Sequence, residues 1–277
     1  MAAAEAGLSP AERRVVEAVL AEPVRLAFGT VAELAARSST SGPTVVRVAR
    51  KLGYPGFRQL QADAQDEMRA AGGLAPAAAR IRATSAKRDD PLGRALVAEL
   101  ANVDATLRAA EPGMYAIAVR LLTARRRHIL VVGGDAERGI AATFADQLAQ
   151  LRDGVELLDG TPPRVAARVA LAGPADVVVA VDVRRYDAWL LAAVAGLRGA
   201  GASVIAVTDG PLSPLVAGSD AWFAVRAEGA GPFDSHVGTL ALLHAVVAGV
   251  ADRLRAPAAD RLDRIEAAWT ETKALRD

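Results

Sequence analysis

The segment DVVVAVDVRRYDAWLLAAVAGLRGAGASVIAVTD, residues 176–209, decides the fold. It holds two apolar runs, 177–181 (VVVAV) and 203–207 (SVIAV), with a helical pattern at 187–199 between them. Runs this apolar leave no side for water, so they read as strands buried on both faces, as in a parallel sheet. A strand, a helix and a second parallel strand form a crossover unit, right-handed because of strand twist.

The alternation continues on either side. Runs at 129–132 (ILVV), 155–158 (VELL) and 222–225 (WFAV) supply three more strands, and helical patterns occupy about 136–151 and 163–172. The expectation is an α/β domain over residues 91–277, doubly wound around a five-stranded parallel sheet. Upstream, Asp90-Pro91 opens a long helix with Leu96, Leu100, Val103 and Leu107 as its stripe, and Glu111-Pro112 opens another. Downstream, Ala258 to Leu275 has Leu262, Ile265, Trp269 and Thr272 at helical spacing, and is expected to dock on its own domain or on a second subunit. His244, in an apolar helix, is assigned to the core, and Trp189, Trp222 and Trp269 to packing.

Composition limits the function classes. Two domains fit 277 residues, and 52% hydrophobic residues exclude a disordered chain. The absence of cysteine excludes disulfides, thiolate metal sites and cysteine nucleophiles, and three histidines are too few for a histidine-rich metal site. No cofactor is expected: the first strand-helix loop, GGDAERG at 133–139, is not G-x-G-x-x-G. The N-terminus lacks the pattern of a secretory signal, and the longest apolar stretch, Thr239 to Ala251, is short for a bilayer and carries His244. The expectation is a cytoplasmic protein with no membrane partner.

Residues 1–72 read as a different domain, made of short helices that open at Ser9-Pro10, Thr30, Ser41 and near Gly56. Residues 73–90, rich in Gly, Pro and charge, read as a partly helical linker. Between residues 30 and 60 five bases face one acid, a net of +4, whereas residues 91–277 carry a net of −2. A compact basic segment on a faintly acidic domain suits a polyanion partner. In TVAELAARSSTSGPTVVRVARKLGYPGF a helix, a tight polar turn and a second helix follow one another, which is the logic of a helix-turn-helix. Ser41 serves as the cap of the second helix, with Pro43 in its first turn. The expected DNA-binding set is Ser41, Thr44, Val45, Arg47, Arg50, Lys51 and Arg58. Thr44 and Arg47 are assigned to base edges, and Arg50, Lys51 and Arg58 to phosphates. The alternative is a small helical bundle with a basic solvated face.

These residues resemble a known family. LSPAERRVVEAVLAEP and TVAELAARSSTSGPTVVRVARKLGYPGFRQLQ are similar to the N-terminal domain of the MurR/RpiR transcription regulators, above all at Thr44-Val45-Val46-Arg47 and Arg50-Lys51-Leu52-Gly53-Tyr54. The turn departs from the pattern: Ser39-Thr40 stands where Gly-Val is expected, and Pro43 is atypical. The family partner of that headpiece is a sugar-isomerase (SIS) domain, an α/β fold that binds phosphosugars, and residues 91–277 resemble it throughout. The resemblance implies a regulator whose partners are double-stranded operator DNA and a small anionic metabolite, assembled as a homodimer or homotetramer.

A ligand of an open parallel sheet sits at the C-terminal strand ends, beside the switch in strand order. The residues expected there are Gly133, Gly134, Glu137, Asp182, Arg184, Arg185, Asp187, Ser235 and His236. Phosphosugar-binding members carry serine- and threonine-rich loops here, whereas this chain has Asp182-Val183-Arg184-Arg185-Tyr186-Asp187 and, in the first loop, Glu137. Two readings stay open. Arg184 and Arg185 grip an anion through guanidinium forks, or they pair with Asp182, Asp187 or Glu137 and the SIS domain is a ligand-free dimerisation module. Ser235 is expected to cap the following helix. An isomerase would need an acid-base pair, for which only Glu137 and His236 could be nominated, so the chain is not expected to be an enzyme.

Overall fold

The computed structural model describes residues 8–21, 26, 29–71, 77–83, 90–211 and 213–275. The chain forms two compact units, Met1–Thr84 and Ser85–Asp277. Residues 72–76 and 84–89, most of the expected linker, lie outside the described residues, and 77–83 form a short helix.

The first unit contains α1 (Pro10–Ala21), α2 (Val31–Arg37), α3 (Gly42–Lys51), α4 (Phe57–Ala71) and α5 (Ala77–Ala83). Val15, Leu26, Leu34, Val45, Val48, Phe57 and Leu60 form its core. Helix α2 starts in a capping box: the Thr30 hydroxyl accepts from the Glu33 N–H, and the Glu33 carboxylate accepts from the Thr30 N–H at 2.7 Å. The turn into α3 places Ser39 at φ +49, where a glycine would be unstrained. Its neighbours hold it: the Ser38 hydroxyl donates to the Leu34 carbonyl at 2.7 Å, and the Arg14 guanidinium donates to the carbonyls of Ser38 and Ser39.

The second unit runs α6 (Pro91–Ala109), α7 (Pro112–Thr123), β1 (His128–Gly133), α8 (Arg138–Leu151), β2 (Val155–Leu157), α9 (Pro162–Ala170), β3 (Asp176–Val181), α10 (Ala188–Gly199), β4 (Ser203–Thr208), β5 (Ala221–Ala224), α11 (Val237–Leu254) and α12 (Ala256–Thr272). The five strands are all parallel, in the order β2-β1-β3-β4-β5. Alternate residues feed two cores. Ile129, Val131, Val177, Val179 and Ile205 pack with residues of α7, α8 and α11, while Leu130, Val132, Val178 and Val204 pack with residues of α9 and α10. The central strands β1, β3 and β4 are therefore largely apolar on both sides, which is why they read as continuous runs, whereas the edge strand β2 exposes Glu156.

Two helices, α6 and α11, depart from expectation. In α6 most of the stripe faces outward: Leu96, Leu100 and Leu107 are exposed, as are Leu92 and Val97 beside them, whereas Val103 is half-buried and Asn102 and Thr106 are buried. Polar demand decides this orientation. Asn102 donates to the Glu228 carbonyl and accepts from its N–H, and Thr106 accepts from the Arg226 N–H, so the inward face completes the backbone bonding that follows β5. Helix α11 is long and apolar enough to cross a membrane by length and composition, and it packs on α6, α7 and α8. His244, on α11, is exposed beside Gln147 rather than in the core. Helix α12 docks on α8 through its first turns, where Ala258 is buried and Arg261 donates to the Ala149 carbonyl.

Candidate functional site

In the first unit, the expected DNA-binding set divides by exposure, with Arg58 on α4 and the rest on α3 or its cap. Ser41, Arg47, Arg50, Lys51 and Arg58 are exposed and Thr44 is half-buried. Val45 is buried against Val15 and Leu34 and cannot meet DNA. Position 45 lies about 100° from position 44 on an α-helix, on the side that must face the core. Ser41 stands at the cap position, but its hydroxyl bonds the Thr44 hydroxyl at 2.9 Å instead of a backbone amide. Lys51 reaches Glu12 on α1 at 2.8 Å. Its ammonium holds the Glu12 carboxyl down at about 2, so this lysine ties α1 to α3. Glu12 was not anticipated as its partner, because the two are 39 residues apart.

At the carboxyl edge of the sheet, the strand order reverses between β1 and β3. The loops after these strands meet there and bring Glu137, Asp182 and Asp187 together. Glu137 and Asp182 are each 2% exposed. Gly134 makes their approach possible: a Cβ at this position would lie 2.7 Å from an oxygen of each. Gly133 is as constrained, since its Cβ would stand 2.8 Å from that of Ala141. Burial, reinforced by the neighbouring Asp182, raises the Glu137 carboxyl to about 8. Burial likewise raises Asp182 to about 7. The two carboxyls are coupled through a side-chain hydrogen bond.

Two loop amides are engaged by carboxylates. Asp182 accepts from the Asp187 N–H at 2.8 Å, and Asp187 accepts from the Asp135 N–H at 2.6 Å. Such loop N–H groups are what a bound phosphate ordinarily uses. Here the chain's own carboxylates stand in for the anion. Arg184 lies 4.0 Å from Asp209, which also accepts from the Tyr186 hydroxyl at 2.5 Å. Arg185 is exposed at φ +69. Ser235 is buried; its hydroxyl accepts from the Val237 N–H at 3.1 Å and donates to Glu99. His236 occupies the cap position of α11, with Nδ1 buried and no described partner.

Beside the carboxylates lies a cavity of about 650 Å³. Its walls come from β2, α9 and α10, and Asp135, Arg138 and Asp159 lie among the residues that line it. Trp189 lines it too, and also packs against the core as the sequence expected.

Comparison with known proteins places these features. Residues 1–71 match the helix-turn-helix domain of the rpiR family, and residues 122–249 match the SIS domain. The HTH-type transcriptional regulator HexR of Pseudomonas aeruginosa is 30% identical over 219 residues, 76% of this chain and 72% of HexR. The chain belongs to the RpiR family of transcriptional regulators. The RpiR transcription factor of Sphaerobacter thermophilus, known as its sugar isomerase domain, is 26% identical with a TM-score of 0.59, and the likeness covers 64% of this chain and 99% of that one. NanR of Vibrio vulnificus, solved with ManNAc-6P, shares the fold at 18% identity and a TM-score of 0.63, over 96% of this chain and 95% of NanR. The fold expected from the sequence is therefore that of the RpiR regulators, helical head and SIS domain alike.

Proposed function

We propose that this RpiR-family chain binds operator DNA through α3, acts as a dimer, and responds to a small metabolite at the carboxyl edge of its SIS sheet. The observation that carries the reading is the row along α3 and its cap, where exposed Ser41, half-buried Thr44, and exposed Arg47 and Lys51 recur at three- and four-residue spacing. Thr44 and Arg47 read base edges, and Arg50 and Arg58 neutralise phosphates. A second copy would cover the outward leucines of α6, each contributing about 1.5–3 kcal/mol on burial. Phe233 and Val237, also exposed, stand beside that helix, because Ser235 bonds Glu99. Two heads held in this way would read half-sites about one helical turn apart or a multiple of it. The site of action is the cytoplasm, and no catalytic step is assigned: Glu137 is engaged by Asp182.

The relatives keep a sugar phosphate or related acid as one effector class, held by Arg184 and Arg185. The internal carboxylates favour a second reading, a SIS domain that only dimerises. Fluorescence anisotropy on a duplex selected from random DNA, with light scattering alongside, tests the proposal. A dimer that prefers the selected duplex, and becomes a monomer with lower affinity in Leu96→Glu/Leu100→Glu, is the expected result. A chain monomeric at micromolar concentration, or equal affinity for selected and random DNA, would overturn it. A thermal-shift panel of sugar phosphates and sugar acids, repeated on an Arg184→Ala/Arg185→Ala variant, tests the anionic effector.

A further inference from the structure

We propose that the cavity between α9 and α10 is the effector pocket, and that it takes a small amphipathic amine with a bulky apolar body. This rests on the reading of the SIS unit as ligand-responsive. The cavity, about 650 Å³, falls in the size range of small-molecule pockets. Leu157, Leu158, Val165, Val169, Trp189 and Ala193 supply its walls. No side chain among these six carries a hydroxyl, amide or carboxyl group, and only the Trp189 indole N–H is polar. A sugar phosphate carries an oxygen on nearly every carbon. Against these walls those oxygens would lose their water and find no partner other than the charged lining residues Asp135, Arg138 and Asp159. An aromatic or branched hydrocarbon body loses nothing by entering.

The lining charges choose the polar end. Arg138 is engaged by Asp159, with both Nε and Nη2 on one carboxylate oxygen at 2.9 and 2.5 Å. Asp135, in the loop after β1, is exposed, and no described side chain bonds its carboxylate. A ligand carboxylate would have to share Arg138 with Asp159 and meet the charge of Asp135. An ammonium group meets Asp135 with no such competition. The loops behind add two further carboxylates, Asp182 and Asp187, each already held by a loop N–H. An amine at Asp135 also touches the loop whose N–H holds Asp187, so occupancy would be felt across the β1 and β3 loops.

The mouth of the cavity is formed by small exposed residues, among them Ala166, Ala170 and Ala192. This permits a blocking variant that leaves the core intact. Full-length protein is titrated by calorimetry with 1-naphthylmethylamine, naphthalene-1-acetate and glucose 6-phosphate, and operator affinity is measured on the same samples. The amine is expected to bind at least tenfold tighter than the acid. Ala192→Trp is expected to abolish its binding with the melting temperature retained, and Asp135→Asn to weaken the amine at least fivefold while leaving the acid unchanged. No binding of the amine, or equal binding in Ala192→Trp, would overturn the proposal. So would glucose 6-phosphate binding that Ala192→Trp removes, although the ligand-responsive reading would then survive. Amine binding without any preference for operator DNA would instead sink the regulator reading and leave the pocket standing.

Discussion

The head and the sheet edge treat charge in opposite ways. On α3 the arginines stand in water, and the buried carboxylate of the head, Glu12, is neutralised by Lys51. At the sheet edge Glu137 and Asp182 are buried against each other, and loop amides are given to internal carboxylates. The first arrangement offers charge to a partner. The second withholds it. The count of arginines and aspartates is thus a poor guide to what a site will bind, and the hydrogen-bond partners decide.

The largest expected effect is in the head. Val45→Asp should unfold it, at a cost on the order of 4 kcal/mol, and abolish operator binding. Arg47→Ala, two positions on, should leave the fold intact and weaken specific binding by about 1–3 kcal/mol. Circular dichroism with anisotropy separates the two. A folded Val45→Asp variant would contradict the inward face of α3.

The next effect concerns the carboxyl pair. Both groups keep their protons to higher pH in the folded state than in the unfolded chain, where they titrate near 4.5 and 3.8. The stability they contribute is therefore present in full below about 4 and is lost as pH rises through about 7 to 8. Glu137→Gln should flatten that decline and melt higher than the native chain at alkaline pH. A gain of about 2–4 °C would correspond to each kcal/mol in a unit of this size. An unchanged pH slope would mean that the two carboxyls are not coupled.

The smallest effect tests whether Lys51 is a strut or a phosphate contact. Glu12, held at about 2 in the fold against 4.5, contributes stability above 4.5 that is lost as pH falls through 2. Lys51→Met should lower the melting temperature of the head by a few degrees near pH 7, with the deficit closing toward pH 2. The salt dependence of DNA binding should not change. A salt slope reduced by about one would make Lys51 a phosphate ligand instead.

The fold was legible because parallel strands buried on both faces leave continuous apolar runs, as at 177–181 and 203–207. Helix α3 was legible for a similar reason: regular geometry assigns each residue a side, and only Val45 was placed on the wrong one. Loops have no such rule. The partner of Lys51 comes from α1, that of Arg184 from the loop after β4, and that of Glu137 from the loop after β3. None of these separations is periodic. His244 and the α6 leucines failed differently. Their helices are apolar on more than one side, and α6 was turned by the polar needs of Asn102 and Thr106.

That orientation of α6 also bears on timing. The helix begins at residue 91, ahead of every strand of the sheet. During synthesis its leucines emerge before the structure that will carry them exists, and they remain uncovered once it does. On the dimer proposed above, a chain built in this order would be covered soonest by a copy made beside it. Neighbouring ribosomes on one message would supply that encounter at high local concentration, so assembly would be decided at the site of translation more than by the number of copies in the cell.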